Sequence, residues 1–490
     1  MRLPLEERRL FPLALGIVVA ITLVRVAVLV FTPLQLYPDE AQYWWWSRSP
    51  DWGYFSKPPL IAWIIRATTM FGDPEWAVRL ASPFFHAGTA LLVYAIGRRA
   101  FSAKVGFWSA LAYITLPGVS YSSGLISTDV PLLFCWAVAL YAFLRALDDL
   151  HWKWPLLCGL AAGFGLLAKY AMLYFVLEAV LAAFVSSRAR HLLLSGRGVA
   201  ILAIGLAILG PNLVWNAVHH FPTVAHTQAN ADWAHARFSV RSMLEFVLGQ
   251  CGVFGPLMML GFVVALWRLR SRERWNKSDG IVLVAFSLPV FALVILQSFI
   301  SEANANWAAV AYVAAVPLAI AVLLRWLNGG AVALSLALGT VAMLSLWAVS
   351  LHPPLAEAVG QGNAFKRMEG WRALGRAVSA EANAGEYDAI AAANRSLLAE
   401  LLYYARPRSM PVRAWDQNLA ARDHFQMTMP LRPNSHRVLV VIAPEEEHRV
   451  SASFDSFVPL RSLKIPVSGN RARITELCDA RGYHSPQPSR

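Results

Sequence analysis

Asp39 and Glu40 stand side by side after Pro38, and Tyr43, Trp44, Trp45 and Trp46 follow at once. Lys57 lies in the run Gly53-Tyr54-Phe55-Ser56-Lys57-Pro58-Pro59, and Asp129 in Ser127-Thr128-Asp129-Val130-Pro131. These side-chain types combine into one chemistry. A carboxylate within hydrogen-bond reach of a hydroxyl can take its proton, and an ammonium offers a point charge to a phosphate. Aromatic faces suit sugar rings and isoprenoid tails alike. Two acids and a lysine on one side of a lipid boundary therefore match a lipid-linked anionic substrate whose head group sits at the interface. A plainer reading stands beside this one. Asp39-Glu40 also suits the acidic first turn of a helix, and Lys57 suits a snorkelling anchor. Ser127, Thr128 or Asp129 can simply cap a helix that has Pro131 in its first turn.

The elements that must carry these residues are set by composition. The chain has 490 residues, 57% of them hydrophobic and only 15% charged, with a mean hydropathy of +0.47. Soluble globular proteins carry about a quarter of charged residues, and disorder requires low hydrophobicity; both classes are excluded. The net charge of +13 would suggest nucleic acid in a soluble protein, but its distribution points elsewhere, and no nucleic-acid partner is expected. Residues 351–490 hold 32 of the 73 charged side chains. The chain thus divides into a membrane-embedded domain, 1–350, and a tail of soluble composition, 351–490.

A spanning helix needs about 20 mostly apolar residues. Candidate spans fall near 11–33, 76–97, 105–122, 127–146, 154–168, 170–187, 198–217, 243–267, 280–300, 307–326 and 331–350, eleven in all, the pair 154–168 and 170–187 being short. The runs are too long for barrel strands and lack a period of two. The first is too long for a cleavable signal and has no small-residue cleavage site. With the N-terminus in the cytoplasm, 17 of the 25 basic residues before 351 fall on the cytoplasmic side, including Arg98, Arg99, Arg145, Arg188 and the run Arg268, Arg270, Arg272, Arg274 and Lys277. That bias sets the orientation, and an odd number of spans then puts the tail outside the cytoplasm. Cys135, Cys158 and Cys251 fall within spans and Cys478 in the tail, so no disulfide framework is read.

Three outer segments are long: 34–75, 218–242 and 297–306. The first holds a helix start at 39–48 and a 13-residue apolar run, 59–71, that suits a helix lying in the interface. The second holds His219, His220, His226 and His235 with Asp232. Histidine is a common metal ligand, yet the spacing fits no compact ligand motif. No metal ligand or cofactor is assigned, and a divalent metal stays open. His226 and Trp233 are read as substrate-loop residues, while Arg237 and Arg241 can stabilise departing negative charge. Arg25 and Glu178 lie within spans, where ionisable groups serve function or bundle packing; neither is placed in the site.

In the tail, 365–383 reads as an amphipathic helix with Trp371, Leu374 and Val378 on one face. Tyr387–Ala392 and Val438–Ile442 read as buried strands with a helix, 395–405, between them, and 469–490 as frayed. A small α/β domain follows, expected to cap the outer vestibule and to help select an acceptor.

The ordered set carries a resemblance. Pro38-Asp39-Glu40 after the first span, Gly53 through Pro59, Ser127 through Pro131, His219-His220-Phe221-Pro222-Thr223, and Asn304-Ala305-Asn306-Trp307 before the tenth span resemble the GT-C membrane glycosyltransferases of the protein-mannosyltransferase and aminoarabinose-transferase type. The resemblance covers roughly residues 1–350. It implies an all-α polytopic membrane fold with interfacial helices in the first outer loop, joined here to the small α/β domain. It implies an inverting transfer of a sugar from a polyprenyl-phosphate carrier to a lipid A or lipopolysaccharide-type glycolipid on the periplasmic face of a bacterial inner membrane. It further implies a catalytic role for Asp39, contact of Lys57 with the carrier phosphate and a matching acid at Asp129; beside these, Glu40 is read as catalytic with Asp39, and Tyr54, His226, Arg237, Arg241, Asn306 and Trp307 as substrate-binding residues. One departure is Ser56, where the aminoarabinose transferases carry Glu. A protein O-glycosyltransferase of the same fold, or a transporter or flippase of lipid-linked sugars, remains an alternative.

Overall fold

The computed structural model describes residues 5–233, 236–269, 277–326, 328–416, 421–433, 435–468 and 471–484. Among them, seven helices are long and apolar enough to cross a membrane: Arg9–Phe31, Glu75–Ala100, Asp129–Ala146, Gly196–Val218, Asp279–Ile300, Ala305–Trp326 and Gly329–Leu351. A helix satisfies every backbone donor and acceptor within its own segment, which lipid demands. A further apolar pair of helices, Val240–Phe254 and Pro256–Arg268, is bent by 109° at its junction, the geometry of a broken span or a re-entrant loop. The bend sits at Gly255, whose φ of 90° favours glycine, directly before a proline that disfavours helix in its predecessor.

The other three expected spans fall short of that length. The run 105–122 is interrupted where Leu116 turns extended (ψ 136°) before Pro117, leaving helices Ala103–Thr115 and Pro117–Ser122. The pair 154–168 and 170–187 forms the shorter apolar helices Lys153–Ala168 and Tyr170–Val185.

The chain forms two compact units. The first holds residues through Val30, Lys57–Ile61 and Arg79–Trp347. At its centre lies Ala305–Trp326, 89% buried, whereas Gly329–Leu351 is only 17% buried and presents its apolar side chains outward. The short helix Lys153–Ala168 packs closely on Gly196–Val218 through Gly159 and Gly163. A Cβ added at Gly159 would stand 2.8 Å from the Ile201 carbonyl oxygen, and one at Gly163 2.7 Å from Ile208 Cβ. Small residues four apart are how helices approach in lipid, where no hydrophobic force drives them together.

Arg25 finds a packing role in this unit. Its Nη2 donates to the Ile114 carbonyl at 2.6 Å and to Ser120 Oγ at 3.3 Å. Ile114 lies in the last turn before the Pro117 break, where a carbonyl loses its helical partner. Glu178 is fully buried in the same unit.

At one end of the unit four charges interlock. Arg188 donates to Asp148 and to Asp279 at 2.6 Å each, and Arg99 bonds Asp148 while lying 3.9 Å from Asp279. All four belong to connections that the charge bias assigns to one side of the membrane. Arg270, Arg272 and Arg274 of the basic run lie outside the described residues. Asp148 follows the 18-residue helix Asp129–Ala146, so Asp129 opens that helix about 27 Å away at 1.5 Å per residue, close to the thickness of the hydrocarbon core.

The second unit holds Phe31–Ser56, Ala62–Val78 and Ala348–Arg490. Most of the first outer loop therefore shares a compact body with the tail. A five-stranded sheet runs β2-β1-β3-β5-β4, with β1 Ala389–Ala392, β2 Val412–Ala414, β3 Arg437–Ile442, β4 Phe454–Val467 and β5 Arg471–Tyr483. β2, β1 and β3 are parallel, while β3, β5 and β4 are antiparallel. β1 and, after Arg437, β3 are continuous apolar runs, as strands covered on both faces must be. Helix Trp371–Ala384 buries Trp371, Leu374 and Val378 as expected, but starts only after Gly370 at φ 84°. Helix Arg395–Tyr404 connects β1 to β2. The expected fraying of 469–490 is corrected for its larger part: 471–483 form β5, which pairs with both β3 and β4 and buries Leu477, Cys478 and Ala480.

Candidate functional site

In the first unit the chemistry gathers at Asp129. Its predecessor Thr128 makes no side-chain capping bond. Asp129 is not a cap either, because both its oxygens are taken by side chains remote in sequence. Lys169 Nζ donates to Oδ1 at 2.7 Å, and Asn306 Nδ2 to Oδ2 at 2.7 Å. Lys169 occupies the break between Lys153–Ala168 and the 3-10 turn Tyr170–Met172, with extended backbone (φ −162°, ψ 136°). That interruption aims its ammonium off the helical path. Asn306 is held by the 3-10 segment Ala305–Ala311, whose Ala305 carbonyl accepts from Gln250 Nε2 at 3.1 Å. The Asp129 side chain is 12% exposed and that of Lys169 21%, so the pair is partly desolvated, with an edge open to solvent. Beside it, the Tyr170 hydroxyl donates to Asn212 Oδ1 at 2.6 Å and accepts from Asn216 Nδ2 at 3.1 Å.

In the second unit the chemistry gathers at Asp39. Helix Pro38–Arg48 has Pro38 at its first position, a good helix start. Glu40 is buried and its Oε2 accepts the Tyr37 N–H at 2.9 Å, an N-terminal capping contact. Asp39 is half-buried, and its Oδ1 accepts from Arg395 Nη1 at 2.9 Å. Arg395 also donates to Gln42 Oε1. The aromatic run is packed inside: Trp46 stacks on Tyr54 with ring centroids 4.5 Å apart, and His424 meets both edge-on. Trp44 meets Tyr403 edge-on, and the Arg406 guanidinium lies over both rings. Tyr54 is 1% exposed and its hydroxyl donates to the Trp46 and Ser49 carbonyls at 3.1 and 3.2 Å. Burial pushes that hydroxyl's pKa well above its ordinary value, so it remains neutral. Trp44, Trp46 and Tyr54 thus build the core beneath Asp39 more than a platform for a ligand.

The structure joins Asn306 to Asp129, and neither Arg237 nor Arg241 is among the partners of that acid. Arg237 pairs with Glu302 at 3.0 Å and Arg241 with Glu245 at 2.7 Å, all four side chains largely exposed. Lys57 is half-buried just before helix Leu60–Thr68. His226 lies on helix Pro222–Ala231, its Nε2 3.1 Å from Asn230 Nδ2, and Trp307 is half-buried in the same 3-10 segment as Asn306. His235 lies outside the described residues. Among the described residues no three His, Cys, Asp or Glu side chains converge as a metal site.

Sequence reasoning missed Lys169 and Arg395. Lys169 carried one usable signal, an ammonium interrupting two apolar runs at a junction assigned to the same side as Asp129. Arg395 carried none, because it sits in an ordinary amphipathic helix.

Residues 56–215 match the family model described as dolichyl-phosphate-mannose-protein mannosyltransferase. The chain is 36% identical over 421 residues, 82% of its length and 87% of the relative's, to lipid A galacturonosyltransferase RgtD of Rhizobium johnstonii. It is 31% identical over 151 residues, 27% of each chain, to the undecaprenyl phosphate-alpha-4-amino-4-deoxy-L-arabinose arabinosyl transferase of Pseudomonas aeruginosa. Its fold is similar to that of ArnT from Cupriavidus metallidurans bound to undecaprenyl phosphate, with a TM-score of 0.65 at 16% identity, covering 94% of this chain and 97% of that one.

Proposed function

Because the chain belongs to the GT-C membrane glycosyltransferase family of lipid A galacturonosyltransferase RgtD and the aminoarabinose transferases, we propose that it moves a uronic acid from a polyprenyl-phosphate carrier to a lipid A-type glycolipid. The enzyme is a polyprenyl-phosphate-sugar-dependent glycosyltransferase with several membrane-spanning helices, acting on lipid A or lipopolysaccharide. The finer assignments are ours: the sugar, an N-terminus in the cytoplasm, a C-terminal domain in the periplasm, and the roles of individual residues.

The observation that carries the choice of sugar is the relative over most of the chain, which transfers galacturonic acid by name. Charge supports it. Ser56 is uncharged, whereas the resemblance to the aminoarabinose transferases leads to the expectation of Glu there. Within the first unit Asp129 is held by Lys169, and within the second Asp39 is held by Arg395. Such an environment is less hostile to a sugar that bears a carboxylate.

The donor already carries its leaving group, so the protein's main tasks are orientation and charge stabilisation. Asp39 accepts the proton of the acceptor hydroxyl as its oxygen attacks the anomeric carbon from the face opposite the phosphate. The carbon–phosphate oxygen bond breaks, and Lys57 stabilises the departing polyprenyl phosphate. Asp129, fixed by Lys169 and Asn306, orients the sugar hydroxyls. A single displacement of this kind inverts the anomeric centre. Proton transfer of this sort contributes about 10²–10⁴-fold.

The test is reconstitution in detergent with polyprenyl-phosphate galacturonic acid, polyprenyl-phosphate aminoarabinose and lipid A. The expected outcome is lipid A heavier by one uronic acid, with release of free polyprenyl phosphate only from the uronic acid donor. Transfer of aminoarabinose instead would overturn the choice of sugar. Release of no polyprenyl phosphate, with movement of intact donor between two compartments of a vesicle, would make the protein a flippase.

A further inference from the structure

We propose that Arg395, supplied by the C-terminal domain, is a positioning residue for the Asp39 carboxylate, a claim that rests on the reading of Asp39 as the proton acceptor. Arg395 opens helix Arg395–Tyr404, whose start is fixed by Asn394: its side-chain oxygen accepts the N–H of Ser396 at 2.8 Å and of Leu397 at 3.3 Å. Leu398, Leu401 and Leu402 of that helix are each 1% exposed. The guanidinium is thus carried by a capped and packed helix, not by a loop tip.

Its reach is limited from the other side too. Nη1 donates both to Asp39 Oδ1 and to Gln42 Oε1. Gln42 lies three residues beyond Asp39 on the same helix face and is 2% exposed. Two acceptors on one rigid helix fix where the guanidinium sits. One oxygen of Asp39 is thereby held, and among the described residues Oδ2 accepts no hydrogen bond. The two side chains remain 38% and 40% exposed, so the open oxygen is reachable.

A base needs this division of labour. One oxygen is oriented by a donor that cannot lose its charge, while the other is left for the hydroxyl proton. When the acceptor's O–H bond breaks, the proton goes to Oδ2, and the O–H electron pair stays on the attacking oxygen. The bland alternative is a partly exposed ion pair that docks two segments and contributes little.

The experiment uses the full-length protein in detergent, with Arg395→Met and Arg395→Lys compared for kcat, donor KM and thermal unfolding. Arg395→Met should lower kcat about 10–100-fold, the scale of a misplaced reacting group, with the donor KM changed less than twofold. Arg395→Lys should recover part of that loss, and added methylguanidinium should raise kcat of Arg395→Met several-fold. The proposal is overturned if Arg395→Met keeps kcat within twofold. It is also overturned if only the donor KM rises, or if kcat falls with the unfolding midpoint and neither lysine nor methylguanidinium restores it. Asp39→Asn separates the two readings. Full activity of Asp39→Asn sinks the assignment of Asp39 itself, whereas an inactive Asp39→Asn beside a fully active Arg395→Met sinks this inference alone.

Discussion

Asp129 illustrates what a single residue discloses and what it conceals. An acid at the head of an apolar segment is conspicuous in a sequence, and capping is its commonest explanation. Here the carboxylate ignores its own helix and binds Lys169, 40 residues on, and Asn306, 177 residues on. Asn306 was readable from the ordered motifs. Lys169 was only partly so: its place between two apolar runs, on the side assigned to Asp129, was visible, but a lysine there also looks like any span-end anchor. The pair carries its own expectation. Lys169→Met leaves a partly buried carboxylate without its cation, and Asp129→Asn leaves the ammonium without its anion. Each single variant should unfold at lower temperature. The double variant should fall short of the sum, with a coupling of about 0.5–3 kcal/mol in a thermal double-mutant cycle. Strict additivity would mean that the two groups do not support each other. Arg395 was less legible still. Its meaning comes from a partner 356 residues earlier, and no local pattern marks a contact of that range.

Among the elements, hydropathy recovered the long spans because lipid forces each to be apolar throughout. It failed where one proline changes the geometry of an otherwise apolar run, at Leu116-Pro117 and Gly255-Pro256. In the tail, periodicity found the buried strands β1 and β3 but not the hairpin of β4 and β5. β4 contains Pro459 and Pro466 and is mostly exposed along its length, which only an edge strand tolerates. β5 is dense in charge and read as an unpacked terminus. The short helix Lys153–Ala168 teaches the opposite lesson, because its glycines are structural surfaces. Gly163→Leu forces a side chain into a space already filled by Ile208. It should destabilise the first unit by about 1–3 kcal/mol, the usual cost of overpacking, measured as a lower unfolding midpoint in detergent. Gly210→Ala, on the neighbouring helix where a Cβ meets nothing within 4 Å, should hold or slightly raise that midpoint, because alanine favours a helix interior over glycine. Equal effects of the two would contradict the close approach.

The molecule as a whole divides differently from its sequence. Composition draws one line near residue 350, and the soluble tail does fold into a sheet domain. The compact body around that sheet also takes in Phe31–Ser56 and Ala62–Val78. Leu36 N–H donates to the Tyr404 hydroxyl at 2.7 Å, Gln35 N–H to the Met368 carbonyl at 2.9 Å, and Phe365 and Met368 pack on Leu34. A sequence read in windows cannot show that an outer loop and a distant tail are one folding body. Removal of 352–490 should therefore strip the loop of its core and abolish transfer altogether, rather than only relax acceptor choice. Limited proteolysis of the truncated protein should cut between residues 31 and 78, sites protected in the full chain. Protection of that segment without the tail would show that the loop folds by itself.

This arrangement has a consequence for biosynthesis. Asp39 emerges from the ribosome 356 residues ahead of Arg395, an interval of about 20–70 s at ordinary elongation rates. Nearly every bilayer-crossing segment is made within that interval, while the carboxylate still lacks its cation. On the proposed role of Arg395, a chain ending before that residue lacks the group that orients Asp39, and full competence is expected only after the tail has been made.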